Sequence, residues 1–124
     1  MKAKRYLCST FFSMVIIFSC QNEARWYPDA EVTIASQYES TNMVTNIKQI
    51  FITCIIHNSS DASISGGAIT LQVKTDKREY LQTIEINTKI IPGGKIAVNA
   101  IISYIDSSEE LQSNGVAVFS SYFD

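Results

Sequence analysis

An all-β fold, an antiparallel sandwich of six to seven strands, is predicted by three features of this 124-residue sequence. From Glu31 onward, six segments alternate apolar and polar residues at period two, the repeat of a half-buried strand. Clusters of Gly, Pro, Asn, Asp and Ser separate the segments at the spacing of a sandwich's turns. Little of this region reads as helix, with one short helical turn expected near residues 107–113.

Each element follows from its own residues. In EVTIASQY, Val32, Ile34 and Tyr38 fall on one side and Thr33 and Gln37 on the other, a half-buried first strand. Residues 40–46 (STNMVTN) form a polar connection with room for a seventh short strand. IKQIFITCIIH is the most apolar segment, with Ile50, Ile52, Cys54 and Ile56 on one face and Phe51 and Ile55 on the other. Apolar residues on both faces mark a central strand or one whose outer face is covered. Asn58-Ser59-Ser60-Asp61 then supplies a turn. The next strand turns Ile69, Leu71 and Val73 inward and Thr70, Gln72 and Lys74 outward. Gly66-Gly67 at its start predicts a kink in the pairing. DKRE (76–79) is an exposed turn, and YLQTIEINT continues with Ile84 and Ile86 inward. In KIIPGG, Pro92 fixes φ and lacks a donor while the glycines accept φ > 0, so the chain changes direction. Lys95 to Ile105 alternates again, with Ile96, Val98, Ala100, Ile102 and Tyr104 on one face. Ser107-Ser108-Glu109-Glu110 matches a helix-start box in which Ser107 caps and Glu110 reaches back. The last strand, GVAVFSSYF, sets Val116, Val118, Ser120 and Tyr122 against Ala117, Phe119 and Phe123.

The first thirty residues follow a different pattern. Lys2, Lys4 and Arg5 precede fourteen mostly apolar or small residues, Tyr6 to Ser19. That is the charge asymmetry and length of a secretory signal; a membrane-spanning helix needs about 20 apolar residues. Ile17-Phe18-Ser19-Cys20 resembles the lipobox of bacterial lipoproteins, with Ile17 and Ser19 matching and Phe18 standing where a small residue is usual. The resemblance implies residues 1–19 as signal peptide, Cys20 as the lipid-carrying first residue of the mature chain, residues 20–30 as tether and 31–124 as the folded domain. It also implies a bacterial cell-envelope protein held to the membrane through lipid on Cys20. Gln21 in place of Asp directs the expectation to the outer membrane where the host has one.

From Ile50 to Phe123 the segments IFITCIIHNSS, AITLQVKTD, IIPGGKIAV and GVAVFSSYF resemble the FxLYD type of immunoglobulin-like domain in exported bacterial proteins. Val73-Lys74-Thr75-Asp76 stands where that family carries its bulky motif. The resemblance implies an immunoglobulin-like sandwich used as an adhesive or spacer module, with no catalytic residue to carry over.

Composition bounds the function. Removal of Lys2, Lys4 and Arg5 leaves seven Lys+Arg against twelve Asp+Glu, a formal charge of −5. An acidic domain repels nucleic acid, so no nucleic-acid partner is expected. Cys54 is the one cysteine left in the fold and reads as a buried hydrophobe rather than a reactive thiol. His57 is the single histidine. Set with Cys54 it falls on the opposite strand face, and set with Ser59 or Ser60 and Asp61 it lacks the frame of a catalytic triad. No catalytic residue, metal or cofactor is therefore expected. Asn58-Ser59-Ser60 has the form of an N-glycosylation triplet. Three C-terminal aromatics, Phe119, Tyr122 and Phe123, are the candidate binding residues, and core filling is the competing role. The reading is a non-enzymatic protein-interaction or assembly module with an unidentified protein partner. The alternative is a small-ligand or glycan-binding sandwich.

Overall fold

The computed structural model describes residues 27–124. The expected signal peptide, Cys20 and the tether as far as Trp26 lie outside the described residues. Six strands follow: β1 (Ala30–Asn42), β2 (Ile47–Asn58), β3 (Gly67–Thr75), β4 (Glu79–Ile86), β5 (Lys95–Ser103) and β6 (Leu111–Phe123). They form two three-stranded antiparallel sheets, ordered β1-β2-β5 and β4-β3-β6. Packed face to face, these sheets make a β-sandwich, as the alternating pattern predicted.

The central strands carry the core. Ile50, Ile52, Cys54 and Ile56 of β2 face Ile69, Leu71 and Val73 of β3, each at most 1% exposed. β-Branched side chains dominate this layer and suit a pleated, enclosed surface. Ile86, Ala100, Ile102 and Tyr104 extend it, and Ile64 and Ile90 close one end through an isolated bridge.

The chain's course divides the loops between two ends. Ala30, the β2–β3 and β4–β5 connections and the end of β6 lie at one end, here called proximal. The β1–β2 turn, the β3–β4 turn and the β5–β6 connection lie at the opposite, distal end. Loops from both sheets therefore meet at each end.

Four expectations need correction. Residues 40–46 hold no separate strand: β1 continues to Asn42 and a tight turn follows. Asn42 Oδ1 accepts from the Val44 and Thr45 N–H groups at 2.9 and 3.1 Å, and Asn46 takes φ 58°, which Asn tolerates. Tyr38 does not share a face with Val32 and Ile34. Pairing jumps from Ile34↔Cys54 to Ser36↔Thr53, so Ala35 is a bulge and every later side chain of β1 changes face. A second bulge, at Phe119, does the same in β6: Thr70 pairs with Ser120 but Leu71 with Val118. Phe123 then packs against the core while Tyr122 points outward. Finally, the helical turn near 107–113 is absent, for reasons given with the site.

Gly67 opens β3 instead of kinking it from within. A Cβ there would press on the Tyr122 carbonyl oxygen and come within 2.9 Å of the Phe123 Cα, so only glycine admits this approach of β6. Gly67→Ala is expected to cost about 1–3 kcal/mol of unfolding free energy, the usual penalty of overpacking. Urea denaturation checks it.

Candidate functional site

Each end of the sandwich is closed by one fully buried polar side chain, and these two positions hold most of the structure's polar chemistry. At the proximal end Asn58, 0% exposed, ends β2. Its Nδ2 donates to the carbonyls of Ala62 and Ile90, both at 2.9 Å. Its Oδ1 accepts from the Ser60 N–H at 2.9 Å, and the Ser60 Oγ lies 2.7 Å away. Its main chain bonds Gly94 and Gly93. One amide thus ties the β2–β3 loop to the β4–β5 loop. Both of its N–H bonds are used and enclosed, so the Asn58-Ser59-Ser60 triplet offers no accessible nitrogen in the folded state.

At the distal end the enclosed group is Glu109, also 0% exposed. Thr75 Oγ1 donates to Oε1 at 2.6 Å, and the Tyr80 hydroxyl donates to Oε2 at 2.6 Å. The Asp106 N–H reaches Oε2 at 3.0 Å, and Arg78 Nε lies 3.2 Å from it. Burial pushes this carboxyl upward, but hydrogen bonds from Thr75, Tyr80 and Asp106 with the charge of Arg78 outweigh it and hold Glu109 at about 2. Lys48 Nζ adds a bond to the Glu109 carbonyl at 2.7 Å, and the Tyr104 N–H donates to the Lys48 carbonyl at 3.0 Å. Both sheets are thereby joined.

The box expected at Ser107 sits one residue earlier. Asp106 Oδ1 accepts from the Ser108 N–H at 2.9 Å while Glu109 reaches back to the Asp106 N–H, so Glu109 performs the role assigned to Glu110. No helix grows from it. The Glu110 N–H donates to Asp76 Oδ1 and its carbonyl accepts from the Asp76 N–H, both at 2.9 Å, which commits the chain to β6. Sequence reasoning missed Glu109 because Asp106-x-x-Glu109 and Ser107-x-x-Glu110 are equally good boxes. Counting Asp106 as a cap would have found it.

Around this buried acid the tyrosines are tuned as acceptors' partners. Burial and the hydrogen bond to Glu109 push the Tyr80 hydroxyl up; burial and the bond to Glu39 at 2.9 Å do the same to Tyr104. Asp106 is held at about 2, first by the Ser108 N–H and hydroxyl, then by Lys77. A shallow open cleft of about 360 Å³ lies beside the cluster, lined by Lys74, Thr75, Lys77, Arg78, Glu79 and Gln112. Its cations already face carboxylates: Lys74–Glu79 at 3.9 Å, Lys77–Asp106 at 3.2 Å and Arg78–Glu109 at 3.2 Å. The arrangement fixes loops and leaves no unopposed charge for an anionic ligand.

The other candidate residues separate. Phe119 and Tyr122 are 57% and 61% exposed, whereas Phe123 packs on the core, so the three aromatics make no common surface. Cys54 is enclosed and burial pushes its thiol up, while His57 sits on the outer face, 3.8 Å from Glu31. Ser60 is absorbed by Asn58. Among the described residues no three His, Cys, Asp or Glu side chains gather as a metal site would need.

Fold and site define a two-sheet β-sandwich whose loop ends are tied by an internal amide and an internal carboxylate. No family model, curated protein or solved structure matches the chain.

Two outcomes follow from the geometry. Asn58→Ala leaves the Ala62 and Ile90 carbonyls and the Ser60 N–H without their partner and is expected to cost about 3 kcal/mol, measured by chemical denaturation. Glu109 and Asp106 have folded values below their ordinary 4.5 and 3.8. Stability they contribute is complete above about pH 4.5 and is lost as pH falls towards 2. Thermal unfolding across that window should show a falling melting temperature, with a flatter acid limb in Glu109→Gln.

Proposed function

We propose that this chain is a lipid-anchored bacterial envelope protein in which a non-enzymatic, immunoglobulin-like sandwich makes contact with another protein. The single observation that carries the anchor is the run from Lys2 to Cys20: cations, an apolar stretch and Ile17-Phe18-Ser19-Cys20. Supporting the immunoglobulin-like part, β1, β2 and β5 are ordered as strands A, B and E of such a sandwich, and β3 and β6 pair as C and F do. Supporting the interaction role, the buried polar groups are consumed in holding loops together, and large apolar side chains stand exposed on sheet faces.

Tethered through Cys20, the domain hangs from its proximal end, where Ala30 begins β1, and the Glu109 end faces away from the membrane. Localisation to the outer membrane follows from Gln21 in a host with two membranes. A second reading, a glycan- or small-ligand-binding module, draws on the exposure of Phe119 and Tyr122. Binding on a saccharide array that is lost in Tyr122→Ala would favour it.

Mass spectrometry of the membrane-extracted protein tests the anchor. The expected product begins at Cys20 with acyl chains attached, and Cys20→Ala moves the protein into the soluble fraction. An unacylated product, or one still membrane-bound after Cys20→Ala, would overturn the proposal.

A further inference from the structure

The register of β1, β2 and β5 sets side chains on the outer sheet face in cross-strand rows. Tyr38, Phe51 and Ile101 form one row, with Tyr38 60% and Ile101 50% exposed. The two rings stack with centroids 5.1 Å apart and planes 8° from parallel. The rows on either side are polar but uncharged, and partly satisfied among themselves. In one, Thr53 Oγ1 donates to Asn99 Oδ1 at 2.8 Å; in the other, Gln49 Nε2 donates to Ser103 Oγ at 3.1 Å. Covering them costs less than covering unpaired groups. Ile55 stands in the next row towards the proximal end, and Ile47 in the next towards the distal end. Five consecutive rows thus hold no Asp, Glu, Lys or Arg, although 18% of the chain is charged. Charge returns only in the proximal row, with Glu31 on one edge strand, His57 in the middle and Lys95 on the other edge.

We propose that this face docks on the same face of a second copy, about a twofold axis that lies in the interface and runs along β2. That axis lays β1 over β5 of the second copy. Tyr38 then meets Ile101, Phe51 meets its own counterpart, and Glu31 meets Lys95, the last contact occurring twice. An axis across the strands would instead place Glu31 and Lys95 beyond the uncharged distal turn, so charge selects the first arrangement. The net charge of the domain points the same way, since two acidic copies approach with least repulsion through a face that carries none. Both Ala30 ends also emerge at one end of the pair, as two chains held in one membrane require.

With strands about 4.8 Å apart and rows about 6.8 Å apart, the face covers about 500 Å² per copy and about 1,000 Å² for the pair. That is the lower bound of a specific interface and fits a reversible dimer. The inference supplies the interaction reading with a partner and needs the folded sandwich, not the lipid.

Sheets packed face to face lie about 10 Å apart, so a short bismaleimide, not a disulfide, spans two thiols near the axis. In the full chain, Thr53→Cys treated in native membranes is expected to give a cross-linked homodimer absent from the unsubstituted protein. Glu31→Lys or Lys95→Glu should each lower its yield about tenfold, and the double reversal should restore it, with circular dichroism unchanged throughout. A Thr53→Cys protein that stays monomeric, a dimer indifferent to the single reversals, or a cross-link to a different polypeptide would each overturn the proposal. The first two leave a contact with some other protein standing. Should the Cys20 anchor fail, the charge-reversal pattern in the soluble chain still decides this question.

Discussion

A carboxylate sealed inside an apolar domain is tolerated only when protein groups replace every bond that water would have made. Glu109 meets that condition with two hydroxyls, a main-chain N–H and a guanidinium, drawn from β3, the β3–β4 turn, β4 and the β5–β6 connection. Because the donors come from separate segments, the group is satisfied only when all are in place. Lys48 extends the same requirement to the opposite sheet through the Glu109 carbonyl. The distal loops therefore assemble together or leave a buried charge unmatched. Asn58 imposes a similar condition at the proximal end, with a neutral amide and main-chain partners. Between these ends the packing of β2 on β3 is apolar and non-directional. It drives the sheets together, while the two polar groups fix how their loops meet.

Much of the architecture was legible because apolar alternation in β2, β3 and β5 is uninterrupted and β-branched. The assignments of Ile50 through Ile56, of Ile69, Leu71 and Val73, and of the Ile96 face all stand. What alternation cannot show is an inserted residue. Ala35 and Phe119 each add one position to a strand, and beyond each the pattern continues with its faces exchanged. Tyr38 consequently leaves the core side for the outer face, and Phe123 takes the inward place beside Val118. Asn58 was legible only as a turn former. Its burial depends on a bond to Ile90, 32 residues away in sequence, which no local pattern reports. Glu109 was hidden differently, by two overlapping capping boxes whose choice rests on Asp76 in the distant β3–β4 turn.

The bulge at Ala35 also decides which side chains the outer face of its sheet carries. Without it, Tyr38 would fill the inner side of β1, and the outer face would lose the ring that stacks on Phe51. The chain instead spends an aromatic residue on an exposed sheet surface and leaves five rows around it free of charge. A solvated sheet face ordinarily carries Lys and Glu, which also guard against unwanted association. Their confinement to the proximal row, with acid at one edge and base at the other, is the observation on which the proposed self-docking of this face rests. The proposed anchor at the proximal end and the proposed association along the flat side are compatible with one sandwich whose loops are tied at both ends by Asn58 and Glu109.

The most direct test of the structural account is a carboxyl titration of the folded domain by nuclear magnetic resonance, with the Glu109 side-chain carbon observed from neutral pH downward. The account predicts that Glu109 stays ionised to about pH 2. A Glu109 that takes up its proton near pH 4.5 would contradict the account, because the enclosing donors would then not be holding a charge.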